Sequence, residues 1–372
     1  MTAANKRRKK IDLGLQGGGS HGAYTWGVLD RLLADERLEI EGVSGASAGA
    51  LNAVALADGF DRGGRAGARA SLDQLWRAVS SYGRNPFMPR SPWSQFTGDW
   101  GADNSPFLFW MDFLSHYVSP YDLNPLNWNP LRDILEQQID FKRLRETPGV
   151  PLYITATNVE TGRPRVFQRH ELTVDHILAS ACLPNLYQAI IIEGAAYWDG
   201  GYMGNPSLWP LFDTTDTDDI LIVGVNPIER KGAPRTTREI FGRLNEITFN
   251  ASLLSEFRAI DFVQRLIQSG RLAGTNYHNV RVHMIADDAL MASIGETTKY
   301  VIDWSFLQMM HEKGAASADD WLSKYYGDLG KRGTVDLRAM FDGESGQLNA
   351  ALAPHSTAAP AARTKRPPRR RT

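Results

Sequence analysis

Apolar residues along this chain recur in two rhythms that alternate. Ile11 to Leu15 is a short apolar run that the glycines at 17–19 cut off, and from Ala23 to Leu33 the apolar positions return at helical spacing. The predicted order is strand, tight turn, helix. The unit then repeats: Ile40 to Val43 runs into Gly45-Ala46-Ser47-Ala48-Gly49, and Ala50 to Ala57 is again helical. Two βα units with short connections predict a parallel sheet covered by helices. Further along, Leu152–Thr157, Arg165–Gln168, Ile220–Val225 and Val280–Ile285 read as strands, and Ile190–Trp198 as two short strands about a Glu193-Gly194 turn. Val174–Ala181, Thr237–Gln268 and Ile302–Lys324 read as helices.

Two stretches break the rhythm. Between residues 85 and 130 Pro86, Pro89, Pro92, Pro120, Pro125 and Pro130 punctuate a segment holding Trp93, Trp100, Trp110 and Trp128, which reads as an insertion. Either a lid or lipid-facing surface, or a buried aromatic satellite core, fits that composition. From 343 onward Ala, Pro, Ser and Arg dominate, and a disordered tail is expected. The expected organisation is a basic tail over 1–10, a main α/β domain over 11–210, a C-terminal α/β extension of the same domain over 211–342, and the tail over 343–372.

Composition adds limits. Hydrophobic residues make up 42% of the 372, enough for a sizeable core. The lone Cys182 allows neither a disulfide within the chain nor a cysteine zinc site, so a reducing, cytoplasmic setting is expected. There is no signal-like N-terminus and no apolar run near the ~20 residues needed to span a bilayer. The net charge of −1 hides an asymmetry, with five cations at 6–10 and six at 363–371 around a body near −12. Such tails serve either as solvated solubility extensions or as anchors on an anionic membrane, and no specific nucleic-acid partner is expected.

The Gly45-to-Gly49 pentapeptide matches G-x-S-x-G directly after a strand and before a helix, the setting in which Ser47 becomes an exposed nucleophile. Gly45 and Gly49 allow the strained turn. The Gly17-Gly18-Gly19-Ser20-His21-Gly22 turn offers several backbone N–H groups at a helix N-terminus, as a developing oxyanion requires. The same residues fit G-x-G-x-x-G with Glu39 or Glu41 downstream, but a nicotinamide site has no use for a serine elbow after the second strand. Asp199-Gly200-Gly201, taken alone, is a turn.

Taken together, the glycine turn, the Ser47 elbow, Ala179-Ser180-Ala181-Cys182-Leu183-Pro184 and Asp199-Gly200-Gly201 resemble the patatin-like phospholipases over roughly residues 11–205. The resemblance implies a three-layer α/β fold with a mainly parallel sheet flanked by helices. It also implies a Ser47–Asp199 dyad without histidine, acting on a lipid or other acyl ester with no metal or organic cofactor. Asp199 would take the serine proton and later activate water, with Gly200 and Gly201 placing its carboxylate. Gly18 and Gly19 lead as oxyanion donors, with Gly17 and Ser20 behind them.

Two positions depart from that pattern, Gln16 before the glycines and His21 where many members carry Arg or Lys. Any cationic contribution then depends on His21 being protonated. Of the scattered histidines, none has metal-site spacing. Two other readings remain: a Ser-His-Asp esterase using His278 or His283, and a non-catalytic lipid-surface or scaffold protein that keeps the fold.

Overall fold

The computed structural model describes residues 8–82 and 118–343. Its strands are β1 (Lys9–Leu15), β2 (Leu38–Gly45), β3 (Leu152–Asn158), β4 (Pro164–Gln168), β5 (Ile190–Ile192), β6 (Ala195–Asp199), β7 (Asp219–Val223) and β8 (Arg281–Ile285). The helices that matter most here are α1 (Gly22–Ala34), α2 (Ala48–Tyr82), α3 (Pro120–Leu123), α4 (Pro130–Gln138), α5 (Phe141–Glu146) and α6 (Val174–Ser180). They are followed by α7 (Thr237–Gln268), α8 (Asp288–Ile294), α9 (Trp304–Tyr325) and α10 (Leu337–Asp342).

The strands form one sheet in the order β5-β6-β3-β2-β1-β7-β8, with β4 also paired to β3. Neighbours from β3 through β8 run parallel. β4 is antiparallel to β3 and β5 to β6, because short hairpin turns leave no room for a crossover, and β6 also runs antiparallel to β3. The parallel sheet expected from the βα units is therefore present, with an antiparallel margin on one side. Along β7 successive side chains enter different cores. Leu221 and Val223 join the core shared with α1, α2 and α9, whereas Ile220 and Ile222 pack with Leu253, Phe257 and Ile260 of α7 and Leu337 of α10. Helices thus cover both faces, giving the three layers.

Several boundaries differ from the sequence reading. β1 begins at Lys9, so Lys9 and Lys10 belong to the sheet and not to a basic tail. Lys9 Nζ donates to the carbonyls of Tyr326 and Leu329, and Lys10 pairs with Glu41 and Asp216. α2 runs to Tyr82, far past Ala57, across a break at Gly63 and Gly64, where φ of Gly64 is +58°. α4 and α5 went unread because each is short, yet each carries a start signal: Asn129 caps α4 with Pro130 behind it, and Asp140 caps α5. The long α7 begins where expected, at a capping box of Thr236 and Glu239. Most of the 85–130 insertion and the tail from 344 lie outside the described residues.

The C-terminal region is built into the same sheet. α9 lies so close to α1 that a Cβ on Gly27 would collide with the His311 carbonyl, and one on Gly314 with that of Tyr24. Among the described residues no helix is long and apolar enough to cross a membrane.

Candidate active site

β1, β2 and β7 end side by side, Leu15 opposite Gly45 and Val223. Ser47 follows the end of β2 and opens α2, with φ at +53°, a left-handed conformation that costs a non-glycine residue about 1–2 kcal/mol. Tight packing on each side maintains that strain. A Cβ on Gly49 would strike the Leu15 carbonyl, one on Gly45 would lie 2.7 Å from Gly49 backbone, and one on Gly17 would run into Ser47 itself. A Cβ on Gly22 would likewise lie 2.7 Å from the Ala48 methyl. These motif glycines are packing requirements of the elbow.

The end of α6 ties the serine to the aspartate. The Ser47 N–H donates to Ser180, with Oγ at 3.0 Å and the carbonyl at 3.1 Å, and Ser180 Oγ donates to the Thr155 carbonyl at 2.6 Å. Two residues on, the Cys182 carbonyl accepts the Asp199 N–H at 2.8 Å. Asp199 closes β6 opposite Ala156 of β3, and Thr157 Oγ1 donates to its carbonyl at 2.8 Å. A side chain on Gly200 would collide with the Thr155 carbonyl, so the chain turns there without one. The Ala-Ser-x-x-x-Pro segment is therefore the bracket from which both residues hang.

The Asp199 carboxyl is fully buried. Its Oδ1 accepts the Gly201 N–H at 2.7 Å, while Oδ2 is sealed from water without a hydrogen bond of ordinary geometry. Burial pushes the group up to about 7, against the Gly201 N–H and the adjoining Ser47 side chain, which both pull it down. A carboxylate with that value exchanges protons near neutrality. Cys182 beside it is held up to about 12, first by burial and then by Asp199, and so stays a thiol.

The glycine loop faces the elbow. The Gly18 and Gly19 N–H groups make no hydrogen bond among the described residues. Gly17 differs from the expectation, because its N–H is taken by Asn205 Oδ1 at 2.6 Å. Ser20 points its hydroxyl away, to the Thr298 carbonyl at 2.8 Å. Gly19 has φ +58° and leaves no room for a side chain against the Lys299 carbonyl. Gln16 is a buried hub: its Oε1 accepts from the N–H groups of Val225 and Asn226 at 3.0 and 3.1 Å, and its Nε2 donates to Asn250 Oδ1 at 3.2 Å. Asn205, Asn226, Thr298 and Lys299 were missed by sequence reasoning. They sit in unremarkable local sequence, and only the chain's return to the sheet brings them to the loop.

Protonation of His21, the condition for a cationic contribution, is not met. The ring is buried, shares a 2.7 Å hydrogen bond between Nε2 and Thr298 Oγ1, and is driven well below the ordinary imidazole value by burial and by the Lys299 ammonium. The Ser-His-Asp reading also fails for both candidates. His283 is buried on β8, three strands from β2, or about 14 Å at ~4.8 Å per strand, with its ring nitrogens on Asp219 at 3.0 Å and Thr334 at 3.1 Å. His278 is exposed and paired with Asp218 at 3.1 Å, below the start of the same strand. Among the described residues no cluster of three metal-ligating side chains occurs.

The class defined by these features is an α/β protein whose strand-to-helix elbow presents a strained serine beside a buried, near-neutral carboxyl and a glycine loop with open N–H groups. The family model described as patatin-like phospholipase matches residues 13–212, more than half of the chain, and the chain belongs to that family. Lipid acyl hydrolysis is the chemistry that membership carries in general terms. A comparison with curated proteins finds no match. Among solved structures, VipD from Legionella pneumophila is similar, with a TM-score of 0.40 and 15% identity over 85% of this chain and 67% of that one.

Proposed function

We propose that the chain hydrolyses lipid acyl esters with Ser47 as nucleophile, Asp199 as general base, and the Gly18 and Gly19 N–H groups as oxyanion donors. The observation carrying this reading is the buried Asp199 carboxyl, raised to about 7, set against the strained Ser47. In the first half-reaction Asp199 accepts the Ser47 hydroxyl proton while Oγ attacks the ester carbonyl, and the oxygen that gains charge falls to the glycine loop. Collapse expels the alcohol, which leaves with the proton that Asp199 held, and an acyl-serine remains. Water then gives a proton to Asp199 and attacks the acyl-serine; collapse releases the fatty acid, and the proton passes from Asp199 back to Ser47 Oγ. Neither metal nor organic cofactor is called for. A panel of phospholipids, lysophospholipids and neutral lipids, assayed with wild type beside Ser47→Ala, tests the reading and identifies the ester class; turnover that survives the substitution sinks it.

The described end of the aromatic insertion favours lipid as the substrate. Leu126 is 90% exposed and Trp128 61%, on a segment joined to the loop between α6 and β5 by a 2.8 Å bond from Gln188 Nε2 to the Asn124 carbonyl. Exposed apolar side chains near a site suit an interface with acyl chains. Replacing Leu126 with Asp and Trp128 with Ala together is expected to cut turnover of phospholipid vesicles about ten-fold while sparing a soluble p-nitrophenyl ester. Equal loss on both substrates contradicts a lipid-facing role. The basic residues near the two termini would add attraction to anionic lipid, about 1 kcal/mol per cation near the surface.

A further inference from the structure

Lys299 lies far beyond the family-matched span, in the turn Glu296–Tyr300 that packs on the glycine loop. Its Nζ donates to Asn226 Oδ1 at 2.8 Å. The Asn226 amide in turn donates from Nδ2 to the Gly17 carbonyl at 2.7 Å. The direction of this chain is fixed by chemistry, since an ammonium only donates and a carbonyl only accepts, leaving one orientation for the amide between them. The Gly17 carbonyl and the Gly18 N–H belong to the same peptide group. Pulling electron density toward the carbonyl oxygen makes the N–H a stronger donor, and linked hydrogen bonds reinforce one another when shielded from water.

We infer that Lys299 is a positioning residue for acyl transfer, polarising the Gly18 N–H through Asn226 and the Gly17 peptide. This rests on the reading of Gly18 as an oxyanion donor. Neighbouring contacts hold the relay in place. Thr298 accepts from Ser20 through its carbonyl and meets His21 through Oγ1, Asn205 Oδ1 accepts the Gly17 N–H, and Glu296 pairs with Lys299 at 2.8 Å from its other side. The ammonium acts on the loop through Asn226.

The test uses the full chain and a soluble p-nitrophenyl ester. Lys299→Met is expected to lower kcat about five-fold with KM within two-fold of wild type, and Lys299→Arg to restore most of it. In a double-mutant cycle with Asn226→Ala the losses should not add, because the two residues act in series. Selective 15N-glycine labelling gives a readout independent of hydrolysis: the Gly18 amide proton should move upfield in Lys299→Met and stay in place in Ser47→Ala. Unchanged kcat with an unmoved Gly18 resonance, or fully additive losses, overturns the inference. Should Asn226→Ala not fold, the Lys299 pair and the resonance decide alone. If wild type hydrolyses nothing, the reading of the site falls while the resonance still tests the relay.

Discussion

Ser47→Ala is expected to abolish ester turnover by about four orders of magnitude or more, with the melting temperature unchanged. The size of the loss follows from the reaction path: without Oγ no acyl-enzyme forms, and only binding and the oxyanion donors remain to assist direct attack by water. Unchanged stability follows from geometry. Alanine keeps the Cβ, hence the left-handed strain at φ +53°, and the N–H bonds to Ser180 are untouched. Ser47→Gly provides the contrast, equally inactive but more stable by about 1–2 kcal/mol because the strain is relieved. A fluorophosphonate should label wild type at Ser47 and neither variant. More than a tenth of wild-type turnover left in Ser47→Ala would end the nucleophile assignment, and well-folded wild type that resists the probe would favour a scaffold.

Asp199→Asn should cost about 10⁴-fold, comparable to disabling the base in other serine hydrolases, and it should change the pH dependence in a way no structural defect imitates. The base works only when ionised. With Asp199 at about 7, kcat/KM of wild type should climb ten-fold per pH unit below that value and level off above it. The residual activity of Asp199→Asn should lack this limb. Stability should move in the opposite sense. The folded state holds its proton up to about 7, whereas an unfolded aspartate releases it near 3.9, so between those values the native protein binds more protons and loses stability as pH rises. Asparagine removes that penalty. The melting temperature of Asp199→Asn should therefore match wild type near pH 4 and exceed it by several degrees at pH 8. A variant that melts below wild type at pH 8, or a wild-type profile flat from pH 5 to 8, contradicts the assignment.

What could be read in advance was local. The elbow around Ser47 is written in five consecutive residues because a strand, a tight turn and a helix must follow one another there, and apolar spacing marks both flanks. Asp199 was legible only by resemblance, since Asp-Gly-Gly is an ordinary turn until β6 pairs with β3 and Cys182 receives its N–H. The oxyanion loop was half legible. Its glycines announce open N–H groups, but the capture of the Gly17 N–H by Asn205, 188 residues away, is a product of tertiary return. Histidine 21 shows the same limit: its residue type permits a charge, and only burial against Thr298 and Lys299 removes it.

The strand order carries a consequence for how the chain can be divided. β7 and β8 lie beyond β1, so the family-matched span, ending at 212, stops short of the two strands that finish one side of the sheet. A protein cut at that point would leave β1 as a raw edge, its Leu13 and Leu15 stripped of their neighbours and its backbone donors open to any passing strand. Such edges recruit other chains, and aggregation is the usual outcome. The region recognisable by homology is thus smaller than the unit that folds, and the residues beyond 212 serve as the sheet's hem.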